Sequence, residues 1–402
     1  MPEPPYLECV ACSGRFDIGP MFSGCPLCRA KGKMAPLEVA YDSDAATQPT
    51  NQREGSGIWR WSSLLPPVRT ESRVSLGEGA TPLLPVACGR DGLRVLLKNE
   101  TANPTWSWKD RPNCVSASMA REFGFRRTVA ISTGNHGCAA AAYSAAAGAN
   151  CVVFCHAGAP ASQLALMLSY GARVIRGGDQ EKLLKQLLDR GDYYPCSIYC
   201  PRAGYANPFG IEGFKTIAFE LYEQLDHSVP DRVFVPAGSG DGIYGVWKGF
   251  RELHKLGWVA NTPRMIACQA SGADSAFRAF QRNSRHAELL DSTSTAALSI
   301  AERIIGDHAL RAVYESGGSV LTCSDEKIFE AQRLLMRQGF ALEPASAAAL
   351  AGLQQVASEW SPGESWVVIG SGAAVKWGTV AANFEMPRLW GPDVADVAEL
   401  AL

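Results

Sequence analysis

Short apolar runs alternate with helical patterns through most of the chain, with a loop after each run. Strands that alternate with helices form parallel sheets covered by helices on both faces. The sequence therefore predicts an α/β fold with doubly wound parallel sheets, in which ligands bind beyond the carboxyl ends of the strands. The predicted strands are 95–98, 128–131, 151–154, 173–175, 232–235, 264–268 and 366–369, and the predicted helices are 138–147, 163–170, 244–256 and 345–356.

Length and charge narrow the class of protein. A chain of 402 residues predicts two or three structural units. The charged fraction is 19% and the net charge is −2, so nothing predicts binding to nucleic acid. No run of about 18 apolar residues predicts a membrane span. Residues 1–5 lack the pattern of a signal peptide, and the odd total of 13 cysteines is typical of reduced thiols, so we expect a cytoplasmic protein.

Two CxxC pairs lie near the N-terminus, Cys9 with Cys12 and Cys25 with Cys28. Each pair can place two sulfurs on one tetrahedral ion, so the pattern predicts a structural Zn²⁺ site in a small knuckle. Four free cysteines in a tail are the alternative, and a redox role is less favoured because no strand-helix pattern surrounds the pairs. Residues 41–57 are polar, which predicts a linker. We assign residues 1–50 to a segment that contains the zinc knuckle and the start of this linker.

A single lysine marks the most reactive stretch of the sequence. Residues 103–111 read Asn-Pro-Thr-Trp-Ser-Trp-Lys-Asp-Arg. A lysine amine attacks a carbonyl only after losing its proton, and burial or a nearby cation lowers its pKa. Trp106 and Trp108 are expected to supply an apolar wall beside Lys109, and Arg111 the neighbouring positive charge. The alternative is a solvated surface cluster of charges.

A glycine loop follows the predicted strand 232–235 and precedes a helix. Backbone N–H groups of such a loop turn inward around an anion, and the helix N-terminus favours negative charge. Neither the Walker pattern nor the dinucleotide spacing is present, so a small phosphorylated cofactor is favoured. A plain strand-to-helix turn is the alternative. The loop residues are Gly238, Ser239, Gly240, Asp241 and Gly242.

A second strand-to-helix turn contains Ser132, Thr133, Asn135 and His136. Hydroxyl groups and backbone donors at a helix start suit the carboxylate of an amino-acid substrate. His136 is a candidate for titration, although a simple hydrogen-bonding role is the alternative.

These three stretches together resemble fold-type II pyridoxal-phosphate enzymes, and the threonine synthase family most closely. Further stretches that carry the resemblance are 59–61, 76–83, 212–216 and 343–349, in consistent order as far as Lys376. The resemblance implies two doubly wound parallel-sheet domains. The larger comprises 51–112 and 211–402, and the smaller 113–210. It also implies a homodimer.

The resemblance also implies roles for individual residues. The cofactor is pyridoxal 5′-phosphate, and Lys109 is the lysine that forms the Schiff base. Asn135 is similar to the residue that bonds the pyridoxal 3′ oxygen, and the loop 238–242 to the one that holds the phosphate. Ser371 matches the hydroxyl residue that faces the pyridine nitrogen. Ser132, Thr133 and His136 are then expected at the substrate.

Some positions depart from the family pattern. Gly210 stands where the family has an arginine that grips the phosphate of O-phosphohomoserine, and Arg202 is a candidate replacement. The predicted function is therefore elimination or replacement at the β or γ carbon of an amino acid whose leaving group need not be phosphate. The alternatives are genuine threonine synthase, an amino-acid dehydratase or ammonia-lyase, and a non-catalytic paralogue.

Overall fold

The computed structural model describes residues 5–33, 35–41, 57–197 and 207–377. Arg202 and most of the predicted linker lie outside these residues. The strands that are described form three sheets. None of the helices within these ranges has the length and apolar character needed to cross a bilayer.

The largest sheet contains most of the strands that the sequence predicts. Its strands are β4 (Leu83–Val86), β5 (Val95–Asn99), β10 (Arg232–Pro236), β11 (Arg264–Ala270), β12 (Ser319–Cys323) and β13 (Trp366–Gly370). They lie in the order β12-β11-β10-β13-β5-β4. All neighbours are parallel except β4 and β5. This antiparallel edge corrects the prediction of purely parallel sheets, and it arises because the connection 87–94 is too short for a crossover helix.

A smaller sheet is built from the middle of the chain. Its strands are β6 (Arg127–Ile131), β7 (Asn150–Cys155), β8 (Arg173–Arg176) and β9 (Tyr194–Pro195). Their order is β8-β7-β6-β9, and every pair is parallel, as predicted. The strands of this sheet lie within 113–210 and those of the largest sheet outside it, although the domain boundaries themselves stay a prediction.

The helices pack on the faces of these sheets. The described α-helices are α1 (Pro26–Arg29), α2 (Asp110–Glu122), α3 (Asn135–Ala146), α4 (Ala161–Ser169), α5 (Gln180–Asp189), α6 (Glu212–Gln224), α7 (Asp241–Lys255), α8 (Ser275–Gln281), α9 (Asp307–Glu315), α10 (Asp325–Arg337) and α11 (Pro344–Gln355). The predicted helices correspond to α3, α4, α7 and α11. Each begins slightly earlier than predicted, because its first residues are mostly small, polar or proline and are not revealed by an apolar pattern.

The cysteine pairs lie in a third, antiparallel sheet with β1 (Tyr6–Cys9), β2 (Arg15–Phe16) and β3 (Leu37–Ala40). The expectation that no strand or helix surrounds the pairs is wrong, since Cys9 ends β1 and Cys28 lies in α1. This sheet docks on the main body. Tyr41 donates a hydrogen bond of 3.0 Å to Glu212 of α6, and Lys248 of α7 donates one of 2.5 Å to the carbonyl of Val39.

A buried ionic network fixes the start of α2. Arg111 donates to both oxygens of Glu100 at 2.7 and 2.8 Å and to both oxygens of Glu220 at 2.8 Å. Lys98 donates to Glu220 at 2.7 Å, and all four side chains are almost completely buried. Burial raises the pKa of Glu220, but Arg111 and Lys98 outweigh it and hold that pKa well below its usual range. Arg111 is therefore a structural cation, and the expectation that it acts on Lys109 is wrong.

Replacing Glu220 by glutamine is expected to lower the free energy of unfolding by about 3–5 kcal/mol, because Arg111 and Lys98 then remain buried without a full counter-charge. Urea denaturation measures this difference. The matched control is Asp189→Asn, which removes a carboxylate from the exposed pair of Lys185 and Asp189, whose side chains are 75% and 63% exposed. That change is expected to cost less than about 1 kcal/mol. Equal effects of the two substitutions would contradict a stabilising network.

Candidate active site

Loops at the carboxyl ends of four strands form the candidate active site. The loop after β5 leads to Lys109, and the loop after β10 contains the glycines 238–242. Ser371 directly follows β13, and the loop after β6 carries Ser132 and Thr133. The backbone joins these parts, since the amide of Trp108 donates to the carbonyl of Ser371 at 2.9 Å. The position beyond the strand ends is the one that the sheet topology predicts for a ligand.

Lys109 directly precedes α2, is half-buried and lies beside two aromatic rings. Its Nζ lies 5.7 Å from the ring centroid of Trp108 and 5.4 Å from that of Phe214. Burial lowers the pKa of Lys109, and Asp241, Glu302 and Glu343 partly oppose this effect through their negative charge. Desolvation, rather than a neighbouring cation, is thus the main reason that this amine gives up its proton more readily than an ordinary lysine.

The two tryptophans beside Lys109 have different surroundings. Trp108 is buried, and its ring fills the space in front of Gly242, where a Cβ would collide with it. Trp106 is 40% exposed and has a φ of 59°, a left-handed conformation that is strained for a bulky residue. The sequence did not predict the second aromatic neighbour of the lysine, Phe214, because it lies on α6, far along the chain.

The glycine loop forms a tight turn before α7. Gly240 has a φ of 97°, and a Cβ at this position would collide with Ala309. A Cβ at Gly238 would lie 3.1 Å from Cγ of Glu302. Glycine is therefore required both for the turn and for close packing, and the backbone N–H groups at the start of α7 remain available to an anion.

Asp241 is held by its neighbours. Its carboxylate accepts a hydrogen bond of 3.2 Å from Ser239 Oγ and lies 3.0 Å from Nε2 of His308. The sequence predicted a cofactor contact for Asp241. In the structure its side chain contacts Ser239 and His308. Asp241 is also the first residue of α7, so its backbone is part of the glycine turn.

The turn before α3 positions its polar groups through local contacts. Ser132 Oγ accepts from the amide of Gly134 at 3.2 Å, and Thr133 Oγ1 accepts from the amide of His156 at 3.4 Å. His136 accepts at Nδ1 from Asn113 at 3.1 Å, which leaves Nε2 to donate to Ser197 at 2.7 Å.

Burial, and then Lys109, lower the pKa of His136 to about 3, so the ring is neutral near pH 7. The neutral ring positions Ser197 and Asn113 rather than carrying a positive charge. The prediction of a titrating His136 at physiological pH is thus not supported by its surroundings.

Asn135 begins α3 and contacts the opposite sheet. Its Nδ2 lies 2.9 and 3.1 Å from the two carboxylate oxygens of Glu343, which precedes α11. Ser371 lies beside this pair, and its Oγ is 2.9 Å from Oγ of Ser346. Asn135, Glu343 and Ser371 are all buried.

The residues present fit a bound cofactor. Within the described part of the chain, Ser107 Oγ is buried without a hydrogen-bond partner, and the second hydrogen of Asn135 Nδ2 has only a long contact of 3.4 Å to Ser299 Oγ. Buried polar atoms in proteins are nearly always paired, so such atoms beside a reactive lysine indicate a ligand. Glu302 and Glu343 also act on Lys109, and neither was assigned a role from the sequence, because a buried acid has no local sequence signal.

The four cysteine sulfurs of the N-terminal pairs converge as predicted. Cys9 Sγ lies 3.8 Å from Cys28 Sγ, and Cys12 Sγ lies 3.7 Å from Cys25 Sγ. All four atoms lie within 4.8 Å of one another. The cluster therefore has the size of a metal site.

Known proteins are similar to this chain over most of its length. A family model described as pyridoxal-phosphate dependent enzyme matches residues 74–372. The threonine synthase of Methanocaldococcus jannaschii is 37% identical over 370 residues, which cover 88% of this chain and 87% of that protein. The threonine synthase of Methanosarcina acetivorans is 34% identical over 366 residues, which cover 87% of this chain and 86% of that protein.

Solved structures show the same fold. Maize serine racemase superposes with a TM-score of 0.64 at 23% identity, over 75% of this chain and 90% of that one. Processed threonine deaminase isoform 2 from Solanum lycopersicum superposes with a TM-score of 0.65 at 20% identity, over 86% of this chain and 98% of that one. At these identities the likeness is one of fold alone. The family match and the closely similar sequences show that the chain belongs to the pyridoxal-phosphate-dependent enzymes, in the threonine synthase family.

Proposed function

We propose that the chain catalyses elimination or replacement at the β or γ carbon of an amino acid, with Lys109 as the residue that binds the cofactor and moves the α proton. The observation that carries the proposal is the amine of Lys109, whose pKa burial lowers, beside a glycine loop that suits a phosphate. A lysine in this setting serves both as a nucleophile toward a carbonyl and as a base.

Four groups would hold pyridoxal phosphate. The backbone N–H groups of residues 238–242 would bind its phosphate, Asn135 its 3′ oxygen, Ser371 its ring nitrogen and Lys109 its aldehyde carbon. When bound, the cofactor supplies an electron-withdrawing ring that stabilises negative charge at the α carbon.

Lys109 Nζ would be the base that accepts the α proton of the bound substrate. Burial shifts the amine toward its unprotonated form, while Asp241, Glu302 and Glu343 favour the protonated form that results from accepting the proton. The same nitrogen can return this proton to the leaving group or to the product.

Ser371 favours reactions in which a group leaves quickly. Ser346 Oγ can give its one hydrogen to Ser371 Oγ at 2.9 Å or to the carbonyl of Gly372 at 3.0 Å, and in the first case the hydroxyl of Ser371 is left to donate to the ring nitrogen. A hydroxyl does not keep that nitrogen protonated as a carboxylate would, so the ring withdraws electrons less strongly. Rapid loss of a β or γ group is then favoured over a long-lived carbanion.

Ser132 and Thr133 would bind the substrate carboxylate at the start of α3, where backbone N–H groups are free of helical partners. Neutral His136 would hold this turn in place through Asn113 and Ser197.

Gly210 supports a substrate whose leaving group is not phosphate. A Cβ at this position would lie 2.5 Å from Ser116 Oγ and 3.3 Å from the carbonyl of Pro112. A side chain at residue 210 would therefore require Ser116 Oγ to move, and the glycine itself provides no cation to hold a substrate phosphate.

A second candidate is the threonine synthase reaction on O-phosphohomoserine. The names of the relatives that are 37% and 34% identical favour it. It requires a cation elsewhere to hold the phosphate, for which Arg202, outside the described residues, is the predicted candidate.

Product analysis separates these functions. The purified protein is incubated with cofactor and either O-phosphohomoserine or amino acids with other β or γ leaving groups. Threonine with free phosphate supports the threonine synthase reaction, whereas a keto acid with ammonia supports elimination. Lys109→Ala is expected to lower turnover of the accepted substrate by on the order of 10³-fold, because it removes the base. Full activity in this variant would contradict the proposed role of Lys109.

We propose further that the cysteine cluster binds structural zinc. In a tetrahedral site with Zn–S bonds of about 2.3 Å, sulfur atoms lie about 3.8 Å apart. The distances of 3.8 and 3.7 Å between the cysteine pairs match this value. The predicted homodimer and cytoplasmic location also stay proposals.

Metal analysis of the purified protein is expected to give about one zinc ion per chain. Cys25→Ser is expected to lose this zinc and to lower the melting temperature, since the site then lacks one ligand. The matched control is Cys88→Ser, a buried cysteine on the main body that should keep the metal. Zinc retained at wild-type level in Cys25→Ser would contradict the assignment.

A further inference from the structure

We propose that Glu343 is a positioning residue that fixes which end of the Asn135 side-chain amide faces the cofactor. The inference rests on the proposed function, in which Asn135 bonds the 3′ oxygen of pyridoxal phosphate, and it extends that function to a residue outside the cofactor contacts named above.

Asn135 and Glu343 meet where the two sheets approach each other. Nδ2 of Asn135 lies 2.9 Å from Oε1 and 3.1 Å from Oε2 of Glu343. Asn135 is 6% exposed and Glu343 is 1% exposed, so water does not compete for this contact. Burial raises the pKa of Glu343, whereas Lys376 and the hydrogen bonds from Asn135, Ser299 and Trp377 favour its ionised form. With Glu343 ionised, the pairing is a charge-assisted hydrogen bond.

Glu343 determines the orientation of the amide. The two ends of an asparagine amide have nearly the same shape, so their partners decide which way it points. A carboxylate only accepts hydrogen bonds, and it therefore attracts Nδ2 and repels Oδ1. Oδ1 has no donor among the described residues, so nothing else holds the amide in this orientation.

The orientation leaves one hydrogen free for the cofactor. Nδ2 carries two hydrogens, and the Glu343 carboxylate takes one. The second faces only a long contact of 3.4 Å to Ser299 Oγ. A deprotonated 3′ oxygen of the bound cofactor would accept that hydrogen. If Oδ1 and Nδ2 exchanged places, the amide would present Oδ1, which accepts a hydrogen bond and therefore favours a protonated 3′ oxygen.

Glu343 is itself held in place. The indole N–H of Trp377 donates to its carboxylate, and its backbone amide donates to the carbonyl of Gly372 at 3.0 Å. A Cβ at Gly372 would lie 2.8 Å from both Asn135 Nδ2 and Glu343 Oε1. Only a glycine there allows the two side chains to approach each other.

The test compares two absorption bands of the protein-bound cofactor, which report the protonated and deprotonated 3′ oxygen. In Glu343→Gln the glutamine amide can donate as well as accept, so Asn135 is free to turn. The band of the protonated oxygen is expected to grow at constant pH, and cofactor binding to weaken by about 10-fold through the lost hydrogen bond.

Two matched variants separate orientation from charge. Glu302→Gln removes another carboxylate that acts on Lys109, but Glu302 lies against Gly238, so this variant measures the shift that loss of charge alone produces, which should be smaller than in Glu343→Gln. Gly372→Ala keeps the carboxylates of Glu343 and Glu302 but pushes Asn135 and Glu343 apart. It should therefore reproduce the change in band ratio expected for Glu343→Gln. It also provides the test if Glu343→Gln does not fold.

An unchanged band ratio in Glu343→Gln, or equal shifts in Glu343→Gln and Glu302→Gln, would overturn the inference and leave the proposed function standing. A wild-type protein that binds no pyridoxal phosphate would overturn both.

Discussion

The buried contact between Arg111 and two glutamates is the constraint on which the active site depends. The guanidinium of Arg111 donates hydrogen bonds to Glu100, beside β5, and to Glu220, on α6. All three side chains are buried from water. Removing ions from water is costly, and the cost is offset only when every donor is paired in a fixed geometry. Because Lys109 lies two residues before Arg111, this geometry also fixes where the reactive amine enters the site.

The candidate site is assembled from loops of two sheets, and each sheet contributes different residues of the proposed chemistry. The larger sheet provides Lys109, the glycine loop and Ser371. The smaller provides Asn135 and the turn before it. Contact between Asn135 and Glu343 joins the two parts, so the surroundings of a bound cofactor depend on how the sheets pack together. The buried side chains also exclude water from the amine, which is the main cause of its lowered pKa.

Features encoded by short stretches were predictable from the sequence, and features that depend on distant contacts were not. The seven predicted strands, the glycine loop and the convergence of the four cysteines follow from local patterns, and the structure contains them. The partners of Arg111 and Asn135 lie 109 and 208 residues away. No periodicity reveals such pairs, and for this reason Arg111 was expected to act on the lysine and Glu343 had no predicted role.

The central claim is that the amine of Lys109 binds pyridoxal phosphate covalently. Borohydride reduction of the cofactor-loaded protein, followed by mass mapping of its peptides, tests this claim most directly. The account predicts that the reduced cofactor is attached to the peptide that contains Lys109. Attachment at a different lysine, or no attachment in a protein that is shown to hold the cofactor, would contradict it.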